Sequence, residues 1–514
     1  MGVKVDHLTK HADEIGDRIA VIDDRAGHPV REFNYVAFNA RVNALANGFL
    51  SLGASEGSHI AWWGNNSVEV LTTIHAIRKA GGVSIPIPYR STSEEALYLL
   101  GVADVEILVI ENRYMPVVEK ISAQLPKLEH IITYGNFETE GMGKPMGDIL
   151  GSSDMPASEG NFIGTQNMIF TSGTTGKPKG AVRKVGGEAN QYGPLLELLG
   201  WDQMESLIFL TTGPLYHSGP SGFALRSQLV GATVVTQYAF DSEDWLRLVS
   251  THAVSATFSA PTPIRRVTSL PEEIKEKYDV SSLRSLIANA APWTMKLKRA
   301  YLKDFREDSL WEVYGSTELS VCTVLAPEDQ LRKPGSCGVP APGVEIQLID
   351  NRGQIIREAD TPGELYARSS ALFETYYKSH DKYIEDHRGG YQTVGDIAYI
   401  DEEGYYFICD RKKDMIISGG VNVYPAEIEN VLDEYPFVEE VAVIGVADEE
   451  WGEVVCAVVV ARKEFMAEDL LLFARSHLSG PKVPKHVYVV DELPKTGSGK
   501  VLKRDLRAYV DARK

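Results

Sequence analysis

The chain reads as an α/β protein with mainly parallel sheets, followed by a small β subdomain and then a smaller α+β unit. Three observations lead to that class. Short apolar runs alternate with helical patterns from about residue 60 to 320, the order expected of parallel strands joined by crossover helices. Near residue 335 the pattern shifts to short β runs separated by tight turns. Beyond a charged, exposed stretch at 410–414, helices and strands resume in a unit of roughly 100 residues.

Residues 60–64 are the first strand in this alternation. Residues 68–80 are helical, with Val68, Leu71, Ile74, His75 and Ile77 near one face. Residues 83–88 are extended again. Ser93 is placed to cap a helix over 94–101, with acids in its first turn. Strands at 107–110 and 131–134 follow, and the alternation repeats with strands at 207–211, 233–237, 257–260 and 286–288 and a helix at 241–251. Met168-Ile169-Phe170 reads as the end of a buried strand, preceded by the small, polar, mobile stretch 151–160. In the β subdomain, 344–349 and 363–368 are bounded by Asp350-Asn351-Arg352-Gly353 and Thr361-Pro362-Gly363. Pro425 opens a helix on which Ile428, Val431, Leu432 and Tyr435 share a face. Strands at 441–446, 454–460 and 487–490 and a helix at 468–478 complete the last unit.

Composition narrows the function. There are 52 basic and 71 acidic residues, a net charge of −19. That balance argues against nucleic acid or an anionic membrane as the main partner. A polyanionic ligand would have to be drawn by local lysines, arginines and a metal. Cys322, Cys337, Cys409 and Cys456 form no CxxC pair and fit packing residues in a reducing compartment. The N-terminus has no apolar signal core, and no apolar run approaches the ~18 residues of a membrane span. The expectation is a cytoplasmic protein without a transmembrane segment.

The chemistry concentrates in Thr171-Ser172-Gly173-Thr174-Thr175-Gly176-Lys177-Pro178-Lys179-Gly180, directly after the buried strand. Glycines let successive N–H groups face one concave space, hydroxyls donate, and lysines add positive charge. This is a polyphosphate cradle. It is not the common P-loop, because no Gly lies five residues before a Gly-Lys-Ser/Thr triplet.

The loop resembles the signature of the adenylate-forming enzymes: acyl-CoA synthetases, luciferases and the adenylation domains of peptide synthetases. Four more segments match in the same order. Tyr314-Gly315-Ser316-Thr317-Glu318 resembles the family's YGxTE segment, and Thr393-Val394-Gly395-Asp396 its TGD segment. Asp410-Arg411-Lys412-Lys413-Asp414-Met415-Ile416 and Ser418-Gly419-Gly420 look like the hinge and the loop after it. Pro494-Lys495-Thr496-Gly497-Ser498-Gly499-Lys500 looks like the C-terminal lysine loop. Bacterial ligases of fatty, aromatic or sterol-like acids are the most similar branch.

That resemblance implies an N-terminal domain over 1–410, built of two α/β subdomains plus the β subdomain, a hinge at 411–414 with Lys413 at its pivot, and a mobile α+β domain over 415–514. It implies ATP, Mg²⁺ and coenzyme A as co-substrates and cofactor. Thr171, Ser172, Gly173, Thr174, Thr175, Gly176 and Lys179 would hold the β- and γ-phosphates, and Glu318 the metal. Thr317 would contact the α-phosphate. Tyr314, with Gly315 and Ser316, would lie on adenine or else belong to the core, and Asn289-Ala290-Ala291-Pro292 would line the other side. The family more often has Gly where Asn289 falls, so the added amide bears on the neighbouring acyl pocket. Asp396 and Arg411 would bind the ribose. Lys500 would bridge the carboxylate and α-phosphate during adenylation, whereas Lys495 and Lys503 read as solvated charges. His217 would lie near the substrate carboxylate or serve structure alone. Ser418, Gly419 and Gly420 would admit the pantetheine arm, with Trp451 either on the CoA nucleotide or structural.

The expected activity is an acyl-CoA synthetase, an acid–thiol ligase working through acyl-AMP. Its expected substrate is a medium- or long-chain fatty acid first and a bulky ring-bearing acid second, with a place in lipid metabolism and room for a homodimer. The alternatives are an adenylation enzyme that loads a carrier protein and a catalytically silent acyl-ligand binder.

Overall fold

Strands of four to six apolar residues bury both faces only if helices cover them, and the chain builds two such covered sheets. The computed structural model describes residues 6–135, 142–153, 166–171, 177–184, 189–495 and 501–513. The first sheet runs Thr375–Tyr376, Lys179–Lys184, Gln166–Thr171, Val83–Pro86, His59–Trp63, Ile107–Glu111, His130–Tyr134, Lys144–Pro145. Its last six strands pair in parallel. Lys179–Lys184 and Thr375–Tyr376 add antiparallel pairs at one edge. The second sheet runs Val339–Pro340, Ser320–Leu325, Leu310–Ser316, Ser285–Ala288, Ala256–Ser259, Ile208–Thr211, Thr233–Thr236, Ile19–Asp23, Arg31–Asn34. Its centre is parallel and its two ends antiparallel. These are the two α/β halves the resemblance implied.

The helix Val68–Lys79 differs from its sequence pattern. One apolar face was expected, yet eleven of its twelve residues are buried. It packs on helix Tyr35–Ser51, on His59–Trp63 and Val83–Pro86 of the first sheet, and on Ile19–Asp23 of the second. A helix in the layer between two sheets has no solvent side. Its polar residues are therefore paired internally: the Lys79 amine donates to Asn39 Oδ1 and Asn43 Oδ1, both at 2.6 Å, and meets Asp6 Oδ2 at 3.2 Å. Lys79→Ala takes the donor from two buried amide oxygens and one cation from Asp6, which keeps Arg78 and the Thr9 hydroxyl. We expect it to cost about 3–5 kcal/mol of stability, read as a lowered urea midpoint; an unchanged midpoint would contradict the buried pairing.

A second difference lies at the helix over 93–102. Thr92, not Ser93, is its cap: the Thr92 hydroxyl accepts from Glu95 N at 3.3 Å, and Glu95 Oε2 accepts from Thr92 N at 2.8 Å. That reciprocal pair satisfies two terminal donors at once, which a Ser93 cap would not.

The β subdomain is a separate antiparallel sheet: His387–Arg388, Tyr391–Gln392, Gly363–Arg368, Asp396–Ile400 and Tyr406–Arg411, with Glu345–Ile349 against Gly363–Arg368. The last sheet begins at Ile416–Ser418 and is dominated by the hairpin Val438–Asp448 with Gly452–Ala461. The hairpin outruns the expected 441–446 and 454–460 because backbone pairing continues beyond the apolar centre. His486–Val490 joins it in parallel. Cys322, Cys337 and Cys456 are buried, as packing residues should be. Among the described residues no helix is long and apolar enough to cross a membrane.

Candidate active site

In parallel α/β sheets, ligands gather at the carboxyl ends of the strands, where loops diverge and backbone groups lack partners. Thr171, residues 289–292 and residues 314–318 lie at such ends. Gln166–Thr171 stops at Thr171, directly opposite Lys179 on the returning strand. Ser285–Ala288 stops before Asn289, and Leu310–Ser316 before Thr317. Ser172, Gly173, Thr174, Thr175, Gly176 and Lys500 lie outside the described residues.

Glu318 is the point where the two halves meet. It is 7% exposed. Its Oε1 accepts from Thr171 Oγ1 at 3.0 Å and from Tyr376 OH at 2.9 Å, both residues of the first sheet. No hydrogen bond among the described residues reaches Oε2. Described His, Cys, Asp and Glu side chains form no cluster of three or more able to hold a metal. A single carboxylate with a spare oxygen is the donor set of a magnesium ion that takes its other ligands from phosphates and water, so the residues fit the expected ion.

The segment around Glu318 is held from several sides. Arg183 Nη1 donates to Thr317 O at 2.5 Å and Nη2 to Ala371 O at 2.9 Å. Thr317 Oγ1 and Ser218 Oγ are 2.8 Å apart. Gly315 has a structural reason: a Cβ there would stand 1.9 Å from the Ser320 carbonyl oxygen across the hairpin. Gly315→Ala must push Thr317 and Glu318 out of place at a cost of about 1–3 kcal/mol. We expect a lower melting temperature together with strongly reduced pyrophosphate release; wild-type values in both would refute it.

Asp396 and Arg411 face each other across the antiparallel pair Asp396–Ile400 and Tyr406–Arg411. Arg411 Nε lies 3.3 Å from Asp396 Oδ1, and Tyr314 OH donates to Oδ2 at 2.6 Å. The Tyr314 ring is thus tied to the carboxylate expected at the ribose, and burial holds its phenol well above the ordinary value. Asn289 does not crowd the pocket as its bulk suggested. Its Nδ2 donates to Val313 O and its Oδ1 accepts from Ala290 N, so the amide folds back onto backbone. Ala290 takes up the resulting turn at φ +74°.

His217 stands at the start of helix Ser218–Leu229, its ring 4.2 Å from that of Tyr216. On this helix Ser218, Gly222 and Arg226 share one face at a spacing of four. Gly219 and Phe223 turn inward, and Phe223 stacks on Phe258 at 5.4 Å. The Arg226 guanidinium lies 4.2 Å above the Tyr192 ring and reaches back to Gly222, where a Cβ would meet Nη1 at 2.8 Å.

In the small domain, Gly419 has φ +57° and Gly420 φ +82°. A Cβ on Gly419 would meet the Trp451 ring at 2.6 Å, and Gly419 N donates to Trp451 O at 2.8 Å. Trp451 therefore has a packing role beside Ser418 while remaining 41% exposed. Lys495 and Lys503 are not the solvated charges expected. Lys495 Nζ bonds both oxygens of Glu440, at 2.6 and 2.7 Å, and Arg265 of the large lobe reaches the same acid at 3.3 Å. Lys503 lies 3.3 Å from Asp410 and 3.0 Å from Glu429, and these acids outweigh burial to raise its amine. Lys413 is exposed and next to Asp414, which Arg507 pairs at 3.0 Å. Arg183, Ser218 and Tyr376 were missed by sequence reasoning; each lies far along the chain from the motif it supports.

The family model described as "AMP-binding enzyme" matches residues 8–377. The chain belongs to the AMP-binding enzyme family. The model of the AMP-binding enzyme C-terminal domain matches 427–500. A feruloyl-CoA synthase of Amycolatopsis sp. is 33% identical, over 93% of this chain and 94% of that protein. A long-chain-fatty-acid–CoA ligase of Mycobacterium tuberculosis is 30% identical, over 93% of each. The crystal structure of an anthranilate CoA ligase in complex with anthranoyl-AMP has the same fold, with TM-score 0.88, 23% identity, and 100% and 99% of the two chains covered. This AMP-binding enzyme is an acid–thiol ligase of the adenylate-forming superfamily, which bears out the fold and the enzyme class expected from the motifs.

Proposed function

We propose that the enzyme joins a compact, ring-bearing carboxylic acid to coenzyme A through an acyl-AMP intermediate. The observation that carries the reading is the convergence of the strand ends at Thr171 and Tyr314–Glu318 with the Asp396–Arg411 pair of the β subdomain, Thr171 bonded to Glu318 and Tyr314 to Asp396. A bound polyphosphate then meets the cradle, adenine meets Tyr314 and 289–292, and the ribose hydroxyls meet Asp396.

The chemistry follows from that order. The substrate carboxylate attacks the α-phosphorus, and the bond to the β-phosphate oxygen breaks with release of pyrophosphate. Thr317 and Lys500 offset charge that grows on the α-phosphate oxygens. Thr171 and Lys179 hold the departing phosphates in line. Glu318 would hold a magnesium ion, which when bound would supply positive charge against the phosphates. In the second step the thiol sulfur attacks the acyl carbon and AMP leaves. Between the two steps the hinge at 411–414 turns the 415–514 domain, so that Lys500 withdraws and 418–420 comes up to the acyl group before the thiol attacks.

The choice of a compact acid rests on the helix Ser218–Leu229. Its small residues Ser218 and Gly222 share a face beside Thr317, and the Arg226 guanidinium lies across that face at Gly222, about one turn beyond Ser218. A guanidinium there opposes a long alkyl chain running along that face and suits a shorter, polar-ended acid. The test is pyrophosphate release across a panel of benzoic, cinnamic and fatty acids, with and without CoA, and with a carrier protein as alternative acceptor. Thioester formation with CoA on an aryl acid is expected. Preference for palmitate, or thioester only on the carrier, would replace the reading.

A further inference from the structure

Arg183 and Arg226 are two half-buried guanidiniums beside one phenol, Tyr192. The helix face places them relative to the reaction centre. Ser218 touches Thr317, and the Arg226 guanidinium lies at the level of Gly222, four residues on, or about 6 Å along the axis. Arg183 is anchored on Thr317 O. Neither guanidinium forms an ion pair with a carboxylate among the described residues, although such pairing is the rule for cations removed from water. Arg226 Nε is buried without a hydrogen-bond partner. Burial by itself would raise the Tyr192 phenol, yet Arg226 and Arg183 outweigh it and hold the phenol below its ordinary value. The local field is thus strongly positive in a protein whose net charge is −19. A guanidinium fork that meets no carboxylate among the described residues matches a planar oxyanion, which it can grip through two parallel bonds.

We propose that Arg226, with Arg183 behind it, is the receptor for a second oxyanion on the substrate acid, at the end opposite the carboxylate that becomes activated. The inference rests on the ligase reading above and names its substrate class: acids with a carboxylate or phenolate oxygen roughly one helical turn, about 5–6 Å, from the reacting group. Gly222 is part of the device, since any side chain there would displace the guanidinium.

The test compares 4-carboxybenzoate, 4-hydroxybenzoate and 4-methylbenzoate as acyl donors to CoA, reading kcat/KM from pyrophosphate release. The wild-type enzyme is expected to favour one of the two oxygen-bearing acids over the methyl isostere by tenfold or more, and which one distinguishes carboxylate from phenolate. Arg226→Gln should cut that ratio at least tenfold, with partial recovery in Arg226→Lys. Gly222→Ala should lower the same ratio; alanine favours the helix, so this variant keeps the question answerable if Arg226→Gln folds poorly. A ratio unmoved in both variants overturns the proposal. So does an equal fall for all three acids, which would mean that Arg226 serves the reacting carboxylate or the fold. Wild-type preference for the methyl compound overturns the proposal and leaves the ligase reading intact. No acid-dependent pyrophosphate release with any acid defeats the ligase reading itself.

Discussion

Glu318→Gln is expected to slow acid-dependent pyrophosphate release by about 10²–10³-fold. The amide keeps an oxygen at the position that accepts from Thr171 and Tyr376, so the contact between the two sheets survives. What changes is Oε2, which becomes a nitrogen that cannot ligate a hard cation. The loss should therefore appear with an unaltered melting temperature and with a raised Mg²⁺ requirement. Glu318→Ala removes the acceptor as well and should lower both stability and rate. A near wild-type rate for the Gln variant at ordinary Mg²⁺ would mean that Glu318 is only a tie between sheets.

Lys500→Ala is expected to reduce acyl-adenylate formation by a similar factor, about 10²–10³-fold, while largely sparing transfer from supplied acyl-AMP to CoA. The root of its loop is held in place: Lys495 grips Glu440, which Arg265 of the large lobe also reaches. Two assays decide it, one starting from acid and ATP and one from the preformed adenylate. Equal loss in both would show that Lys500 supports the fold and not the first step.

The five motifs were legible because each is a run of consecutive residues whose spacing carries its own chemistry. A cradle needs glycines and hydroxyls side by side, and Thr171 to Gly180 supplies them in one turn of chain. The α/β class was legible because strand and helix periods differ. Less was legible where burial comes from both sides, as at Val68–Lys79, or where two adjacent hydroxyls competed for one cap, as at Thr92 and Ser93.

The partners of the motif residues had no local signal at all. Arg183 lies 134 residues from the Thr317 carbonyl it holds, and Tyr376 lies 58 from Glu318. The bearing of the Asn289 amide on the neighbouring pocket could not be read from sequence, because its partner is the Val313 carbonyl. Sequence alone determined the reaction class, because ATP chemistry demands a fixed set of neighbouring groups. Only the tertiary structure decided which side chains buttress those groups and which cations meet no carboxylate among the described residues, because charge compensation is settled by what packs against what and not by order along the chain.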